Sequence, residues 1–360
     1  MDEPFFLDWL ECEPYGYNSE QKKEVLLPAL AHLTEWHASQ CISYGRVLDA
    51  LSFDTCKIKN LSDVPFIPVR LFKEFELRSI KKEFIFKTLT SSGTSGQQVS
   101  KIYLDRETAS LQTKVLSRLM RGLVGKQRRP MLVIDNPSIL KNRHSFSARA
   151  AGVLGFSMYG KDVTYALNES MELDLAAIEA FLERHPAEPI FIFGFTFMIW
   201  KYFALPLQKQ KLQINLERGT LLHGGGWKKL QGQSVNSLQF SSTLRSVCGV
   251  AEVVNYYGMV EQTGSIFLEC RAGYLHTHLY SDLIVRRYNG FQVAQFGEEG
   301  IIEVLSMLPK SYPGHALLTE DIGVIFGEDD CACGLPGKYF HVKGRIPQAE
   351  VRGCSDTHEA

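Results

Sequence analysis

The spacing of apolar residues changes along the chain, and each spacing predicts a different kind of secondary structure. Between residues 20 and 51, apolar side chains recur about every 3.6 residues, which predicts an amphipathic helix. Those positions are Val25, Leu26, Leu30, Leu33, Trp36 and Ile42. Residues 61–75 contain two prolines, which break a helix and favour extended chain. Aromatic and β-branched residues at 83–89 then predict a strand.

The middle of the chain alternates apolar runs with segments of helical spacing. Strands are predicted at 131–135, at 189–195 and from residue 219, with helices near 144–154 and 171–185 between them. This alternation predicts a parallel sheet with crossover helices, so the expected fold class is α/β. From about residue 253 the segments become short and β-rich, which predicts a mixed or antiparallel β region.

Composition places the chain among ordinary soluble globular proteins. It has 360 residues, 45% of them hydrophobic and 22% charged, with 39 lysines and arginines against 40 aspartates and glutamates. This balance provides no basic excess for a nucleic-acid partner. The first residues lack the pattern of a secretory signal, and no run of about 20 apolar residues predicts a membrane span. We therefore expect a cytoplasmic protein whose cysteines are reduced.

A loop rich in hydroxyls and glycine follows the strand predicted at 83–89. From Thr90 it reads TSSGTSGQ, and a helix is predicted after it. Glycine backbone N–H groups, hydroxyls and a helix N-terminus together suit an anion such as phosphate. The loop lacks the Gly-Lys-Ser/Thr of a Walker A motif, and a flexible Ser/Gly linker is the alternative.

Further motifs follow this loop in a fixed order: HGGGWK, YGMVEQTGSIF, SYPGHALLTEDIG and the closing RGCS. With SSGTSGQ they resemble the LuxE-type acyl-protein synthetase family over residues 84–355. That family belongs to the adenylate-forming superfamily and is related to phenylacetate-CoA ligases. The resemblance implies the large domain of an adenylate-forming enzyme over residues 1–345, β-rich from about 253. It implies a mobile tail at 346–360 where relatives carry a small domain.

The resemblance also implies ATP-dependent formation of an acyl adenylate, with donors for the phosphates and an acid for Mg²⁺. The phosphate donors are Ser91, Ser92, Gly93, Thr94, Ser95, Gly96 and Lys101. Glu261 matches the position that holds Mg²⁺, which proteins bind through one or two carboxylates plus phosphate oxygens. Taken alone, Glu261 is equally compatible with a surface acid that follows a turn.

The resemblance also assigns residues to the adenine base and to the ribose of the nucleotide. The base is assigned Gly224, Gly225, Gly226, Tyr256, Tyr257 and Gly258. The first three glycines would form one wall of the adenine slot and the tyrosines the other, because bare backbone permits close stacking. Asp321 would accept from the ribose hydroxyls, and Arg345 would lie beside the nucleotide. Core packing of the tyrosines and a turn role for Asp321 are the alternatives.

Two departures from the family pattern concern the adenylation step. Val260 stands where many relatives have a threonine that donates to phosphate. The neighbours that carry a donor are Gln262, Thr263 and Ser265. In addition, only about 15 residues follow Arg345, whereas most adenylate-forming enzymes have a C-terminal domain with a catalytic lysine. Either loop donors and Mg²⁺ carry the step, or another lysine serves: Lys101, Lys228 or Lys229.

Cysteine and histidine residues of the β-rich region form a candidate zinc site. They are Cys270, His276, Cys331 and Cys333. Three thiolates and one imidazole make the closed tetrahedral set typical of structural zinc. The pattern looks like one in the phenylacetate-CoA ligase branch. Reduced cysteines without a metal are the alternative, because the spacing is not that of a zinc finger.

In the LuxE-type family the acyl group passes to a cysteine of the enzyme near the C-terminus, and Cys354 matches it. A thiolate is a good nucleophile for an acyl adenylate. We therefore expect an AMP-forming acid–thiol ligase that activates a carboxylic acid, expected to be a fatty acid, and loads it on Cys354 as a thioester. The acyl group would then pass to a partner such as a reductase or transferase.

Two other functions stay open at this point. One is an acyl- or aryl-CoA ligase that uses free coenzyme A and leaves Cys354 idle. The other is a non-catalytic nucleotide-binding subunit of a reductase complex. The apolar run at 193–200, with Phe193, Gly194, Phe195, Phe197 and Trp200, suits an acyl pocket, although a buried strand and helix start would look the same.

Overall fold

The computed structural model describes residues 9–91, 99–140, 148–227 and 235–346. These residues divide into two compact units. The first unit combines residues 9–119 with residues 257–346, and the second contains the described residues from 120 to 256. The early helical part and the late β-rich part of the chain therefore fold together.

Parallel strands run side by side through the second unit. In spatial order they are Gly160–Tyr165, Arg129–Val133, Ile190–Phe195, Gly219–Gly224 and Glu252–Tyr257. The predicted α/β alternation is confirmed. All six residues of Gly219–Gly224 are buried, and so are the first five of Ile190–Phe195. Helices cover both faces of such a sheet, which explains why its buried strands are apolar, whereas the edge strand Gly160–Tyr165 is polar and partly exposed.

Helices connect these strands, and polar caps set where two of them begin. They are Ala148–Ser157, Leu175–Arg184, Thr196–Ile199, Leu205–Gln210 and Ser237–Cys248, with a π-helical turn at Trp200–Ala204. The Asp174 side chain accepts from the backbone N–H of Ala177 at 3.0 Å, so the helix predicted at 171–185 begins after Asp174. Asn236 caps the last helix in the same way, through the N–H of Gln239 at 2.8 Å.

The first unit begins with two helices where the apolar spacing predicts one. Ser19–Gln40 ends at Cys41, whose backbone is extended, and Ile42–Ala50 follows at once. A Cβ on Gly45 would lie 2.8 Å from the Ala38 carbonyl oxygen, so glycine permits this tight junction. Ile42 is 75% exposed, and the prediction of one continuous helix that buries it is wrong.

An antiparallel sheet forms the centre of the first unit. In spatial order its strands are Leu275–His276, Lys338–Arg345, Ala316–Glu328, Glu299–Ser306 and Ser281–Arg286. The short strand Ile67–Pro68 adds to Ala316–Glu328 in parallel. The predicted mixed or antiparallel region is thus confirmed: its first strand, Glu252–Tyr257, pairs in parallel with Gly219–Gly224, and the later strands pair antiparallel.

The hydroxyl-rich loop belongs to a hairpin of the first unit. Strand Lys87–Thr90 pairs antiparallel with strand Lys101–Leu104, and helix Arg106–Val124 begins only after the second strand. The helix predicted after the loop is confirmed, but the strand Lys101–Leu104 lies between them, so the argument from an adjoining helix N-terminus does not apply. Residues 82–84 form a 3-10 turn, so the strand predicted at 83–89 starts four residues late.

Among the helices of the described ranges, none combines the length and the apolar character that crossing a membrane requires.

Candidate functional site

Asp321 is the centre of a polar cluster in the first unit. Its Oδ2 accepts from the Tyr257 hydroxyl at 2.7 Å, and its Oδ1 accepts from Arg345 Nε at 3.2 Å. Asp321 and Arg345 lie opposite each other on paired strands, which explains their meeting. Burial, and next the Asp321 carboxylate, raise the pKa of Tyr257 well above its ordinary value. The fold thus brings together three residues that the sequence analysis assigns to the nucleotide.

Glu261 lies in a 3-10 turn, Val260–Gln262, and its side chain is buried. Burial raises the pKa of the Glu261 carboxyl group, while the facing Ser100 hydroxyl acts in the opposite direction. The positive charges of Lys73 and Arg345 also reach Glu261 and lower its pKa. A buried carboxylic acid near two basic side chains is typical of a site that binds a charged ligand.

Hydrogen bonds of the Gln262 side chain stabilise the turn that carries Glu261. The Gln262 side-chain amide donates to the carbonyls of Val304 and Gly314, at 3.1 and 2.9 Å. A Cβ on Gly314 would lie 2.9 Å from the Glu261 carbonyl oxygen, so the SYPGH segment packs directly against the turn. Thr263 donates to the Val260 carbonyl at 2.9 Å. These side chains hold the turn, and none of these hydrogen bonds gives them the role of the threonine that Val260 replaces.

Two serines close the neck of the hydroxyl-rich loop. Ser91 N–H donates to the Ser100 carbonyl at 3.1 Å, and Ser100 N–H donates to Ser91 Oγ at 2.9 Å. Lys101 follows with an exposed side chain, paired in register with Thr90. The other loop positions assigned to phosphate, Ser92 to Gly96, lie outside the described residues. Lys228 and Lys229 lie outside them as well, as does Cys354.

The glycine-rich segment assigned to adenine ends the strand Gly219–Gly224 of the second unit. A Cβ on Gly224 would lie 2.5 Å from the Tyr256 ring, and Gly225 has a φ of +80°, a conformation that favours glycine. Tyr256 also contacts Phe156, with ring centroids 5.2 Å apart. The expectation that Gly224 and Tyr256 form facing walls is therefore wrong, because they touch each other.

Tyr257 does not share that surface. Consecutive side chains of a strand point to opposite faces, and Tyr257 reaches Asp321 in the first unit while Tyr256 packs on Gly224 in the second. At Gly258 a Cβ would lie 2.9 Å from Ile266, so close packing accounts for this glycine. The two tyrosines that the sequence pairs in one wall have different surroundings.

The apolar run proposed for the acyl chain is mostly core. Phe193 is fully buried, and Trp200 packs on Phe240 with ring centroids 5.9 Å apart. Phe195 is only half-buried, and it lies 3.1 Å from where a Cβ on Gly225 would be. Core packing therefore explains Phe193 and Trp200, and Phe195 is the member that lines the surface beside the glycines.

Cys270, His276, Cys331 and Cys333 come together in the first unit. One ligand atom from each lies within 4.8 Å of all the others, and His276 Nε2 is 3.4 Å from Cys333 Sγ. Ligands at about 2.0 and 2.3 Å from a tetrahedral zinc lie roughly 3.5 Å from each other. The side chains are also buried or half-buried, as in closed structural sites. The four residues predicted from sequence fit zinc.

Sequence reasoning missed two residues of this unit. Ser100 and Lys73 both act on the Glu261 carboxyl group, but they lie far from it along the chain. Ser100 lies three residues after the hydroxyl-rich segment, and that position is a signal that could have singled it out. Lys73 lies in a short helix, Leu71–Glu74, and no motif marks it.

The fold is that of an adenylate-forming ligase. An open-conformation crystal structure of 2-hydroxyisobutyryl-CoA ligase, in complex with 2-HIB-AMP and CoA, matches with a TM-score of 0.69 at 15% identity, over 93% of this chain and 77% of that one. A postadenylation-state structure of the same ligase, in complex with R3-HIB-AMP, has a TM-score of 0.68 at 16% identity, over 93% of this chain and 69% of that one.

The family follows from the sequence comparison. The model of the acyl-protein synthetase LuxE family matches residues 7–360, so the chain belongs to that family and is an AMP-forming ligase. Two long-chain-fatty-acid–luciferin-component ligases are similar to it. The one from Vibrio harveyi is 22% identical over 358 residues, or 95% of this chain and 89% of its own. The one from Aliivibrio fischeri is 20% identical over 357 residues, or 95% and 90%.

Proposed function

We propose that the chain uses ATP to activate a carboxylic acid and then carries the acyl group on Cys354 as a thioester. In the first step a carboxylate oxygen attacks the α-phosphorus of ATP. An O–P bond forms, the bond to the β-phosphate oxygen breaks, and pyrophosphate leaves. In the second step the Cys354 thiolate attacks the acyl carbon. A C–S bond forms, the C–O bond to AMP breaks, and AMP leaves.

The observation that carries the first step is the environment of Glu261. A carboxylate that is buried beside a hydroxyl, within reach of the charges of Lys73 and Arg345, suits a partner that is both cationic and phosphate-bearing. Magnesium-bound ATP has that chemistry, because Mg²⁺ combines one or two carboxylates with phosphate oxygens. The role of Glu261 is to hold the cation, and Lys73 and Arg345 offset the phosphate charge.

Asp321 has the geometry for the ribose. One of its oxygens is fixed by Tyr257 and the other by Arg345, so its position is set by two hydrogen bonds. A carboxylate oxygen has more than one lone pair, and each oxygen can therefore still accept from a ribose hydroxyl. Gly225 and Gly226 are the proposed bare surface for adenine, and Phe195 lies beside Gly225.

A fatty acid is the proposed substrate, since the curated relatives are named as ligases of long-chain fatty acids. The same names concern a luciferin component, and a reductase or transferase that accepts the acyl group is the proposed partner. The family match extends through residue 354, which supports Cys354 as the carrier. A thioester on a cysteine retains the activation of the acyl group until the partner removes it.

Covalent labelling tests this proposal. With radiolabelled fatty acid and ATP, the wild-type chain is expected to take up a label that hydroxylamine removes. Cys354→Ser should lose the label, whereas Cys56→Ser, which changes an exposed cysteine, should keep it. Equal labelling of Cys354→Ser and wild type would contradict the proposal. ATP-dependent synthesis of acyl-CoA by Cys354→Ser would favour the coenzyme A ligase instead.

We also propose a structural zinc ion at Cys270, His276, Cys331 and Cys333. Three thiolates and an imidazole satisfy the cation, and bound zinc would tie the loop that carries Cys331 and Cys333 to the strand at His276. Metal analysis after dialysis is expected to find about one zinc per chain in wild type and in Cys56→Ser, and to find little in Cys333→Ser. A wild-type chain without stoichiometric zinc would overturn the assignment.

A further inference from the structure

One helical turn of the second unit contacts both ends of the glycine segment, Gly224–Trp227. At the start of the segment, the Thr196 hydroxyl donates to the Gly224 carbonyl oxygen at 3.1 Å. At its end, the Trp227 ring packs edge to face against Trp200, with ring centroids 5.8 Å apart. Thr196 and Trp200 are four residues apart, so they lie on the same face of the turn. That face therefore holds the segment at two points.

The Thr196 hydroxyl has a second buried partner, His223. The distance from Thr196 Oγ1 to His223 Nδ1 is 2.9 Å, and both side chains are buried. Burial lowers the pKa of His223 to about 3, so the imidazole is neutral at neutral pH. Because a hydroxyl has one proton and Thr196 gives it to the Gly224 carbonyl, Thr196 accepts from Nδ1–H of His223. The two contacts thus support each other and fix the direction of the hydroxyl.

The bond from Thr196 acts where the chain leaves the sheet. Strand Gly219–Gly224 ends at this carbonyl, and Gly225 follows with a φ of +80°. The carbonyl belongs to the planar peptide unit that joins Gly224 to Gly225, so holding its oxygen fixes the plane from which Gly225 continues. Glycines otherwise have more backbone freedom than any other residue. The course of Gly225 and Gly226 therefore depends on the Thr196 hydroxyl.

We propose that Thr196 and Trp200 are positioning residues for ATP: they hold the two ends of the segment whose middle, Gly225 and Gly226, is the surface proposed for adenine. This inference rests on the proposed function and deepens it. A glycine backbone without these anchors would be ordered only when the base binds, and the lost conformational entropy would reduce the affinity. Both residues act through the backbone of the segment.

Thr220 provides a matched control on the strand that ends at Gly224. Its hydroxyl is also buried, but it accepts from Arg129 Nη1 at 3.3 Å, at the beginning of the strand. Thr220→Val removes a buried hydroxyl from the same sheet and leaves the contact at Gly224 in place. Thr196→Val removes that contact with little change of side-chain shape, and Thr196→Ser retains the hydroxyl.

Calorimetric titration with MgATP tests the proposal without any turnover. Thr196→Val is expected to raise the dissociation constant about fivefold, as the loss of one hydrogen bond predicts. Thr196→Ser should recover most of the affinity. Thr220→Val should match wild type, whatever its unfolding midpoint, because its hydroxyl does not contact the glycine segment. The unfolding midpoint of each variant is measured alongside.

A second variant tests the other end of the segment without altering the sheet. Trp227→Leu removes the ring contact with Trp200 and should raise the dissociation constant for MgATP at least about twofold. It decides the question if Thr196→Val does not fold. An affinity equal to that of wild type in Trp227→Leu would overturn the role of Trp200.

The outcomes separate the inference from the proposed function. If wild type binds MgATP and Thr196→Val and Trp227→Leu bind it equally well, the inference is overturned and the proposed function stands. If Thr220→Val loses as much affinity as Thr196→Val, or if Thr196→Ser recovers none of it, the contact at Gly224 is not responsible and the role of Thr196 is overturned. If wild type does not bind MgATP at all, the inference and the adenylation step fall together.

Discussion

The two units of this chain bury very different side chains. In the second unit, Asp135 is the one buried charged residue within the described ranges, and Arg149 pairs with it at 2.6 Å. The first unit buries six charged residues within those ranges: Lys22, Glu261, Asp282, Arg286, Glu303 and Asp321. The buried interior of the second unit is thus almost free of charge, whereas the first unit buries several charged residues, among them Glu261 and Asp321, which are proposed to bind the nucleotide.

Stability and ligand binding depend on the same buried charges in the first unit. A parallel sheet covered by helices excludes polar groups from its strands, so its core depends on apolar contact. Buried charges are costly unless they are paired, and a site for a charged ligand needs some of them. Disturbing a pair in the first unit should therefore have larger and more pH-dependent effects than a comparable change on its surface.

The largest expected effect comes from the buried ion pair between Arg286 and Glu303. Glu303 is 0% exposed, and Arg286 also donates to the carbonyls of Phe291 and Ser62 at 3.1 and 2.9 Å. Arg286→Met leaves these acceptors without their donor, and it should lower the free energy of unfolding by about 3 kcal/mol. Urea denaturation measures the change.

The neighbouring arginine is the matched control. Arg287 pairs with Glu298 at 2.7 Å, but both side chains are well exposed. Arg287→Met should change the free energy of unfolding by less than about 1 kcal/mol. Equal losses for the two variants would show that burial of the charge pair does not matter here.

An intermediate effect is expected from the protonation of Glu303. Burial raises the pKa of this carboxyl group to about 7, although Arg286 opposes the shift. An acid with a raised pKa binds its proton more tightly in the folded state, so its contribution is present at low pH and is lost as pH rises toward 7. The wild type should lose stability from this source between about pH 4.5 and 7, and Glu303→Gln should lack that part of the slope.

The comparison for Glu303 uses unfolding free energies at pH 5 and pH 7.5. The difference between the two pH values should be more negative for the wild type than for Glu303→Gln. A Glu303→Gln variant with the same or a steeper decline would contradict the assignment. Exposed acids such as Glu298 titrate in both proteins and cancel in the difference.

The smallest expected effect concerns Tyr257, whose hydroxyl donates to Asp321 at 2.7 Å. Tyr257→Phe removes one of the two hydrogen bonds that fix this carboxylate, and it should raise the half-saturating ATP concentration roughly fivefold. Pyrophosphate exchange with saturating acid measures it. Tyr280→Phe, which loses a bond to the Trp9 carbonyl at 3.0 Å, is the control that should leave ATP affinity unchanged. Equal shifts of the half-saturating ATP concentration in both variants would contradict a role of Tyr257 in ATP binding.

The apolar pattern predicts the buried strands of the second unit, because a strand that is covered on both faces is apolar along its length. It does not predict the edge strand Gly160–Tyr165, since three of its six residues are exposed. The helix at 175–184 and the strands at 190–195 and 219–224 of this unit lie close to their predicted places. The same reasoning fails at the loop after Thr90, where a four-residue strand separates loop and helix. A strand that short leaves almost no periodic signal, and pairing with Lys87–Thr90 determines it.

The candidate site is predictable where residue type alone restricts the chemistry. The cluster of Cys270, His276, Cys331 and Cys333, proposed to bind zinc, could be predicted because few residue types other than thiols and imidazoles suit that metal. Ser100 and Lys73 are not predicted, since only the fold brings these common residue types to Glu261. The sequence alone argues against one wall formed by both Tyr256 and Tyr257, because consecutive side chains of a strand point to opposite faces.

The activated acyl group is proposed to reside on Cys354. Peptide mass mapping of the wild-type chain, after incubation with a fatty acid, ATP and Mg²⁺, tests it most directly. One acylated peptide is expected, the one with Cys354, and its added mass should equal that of the acyl group and disappear with hydroxylamine. Acyl-AMP formation without any acylated Cys354 peptide, or a thioester on a different cysteine, would contradict it.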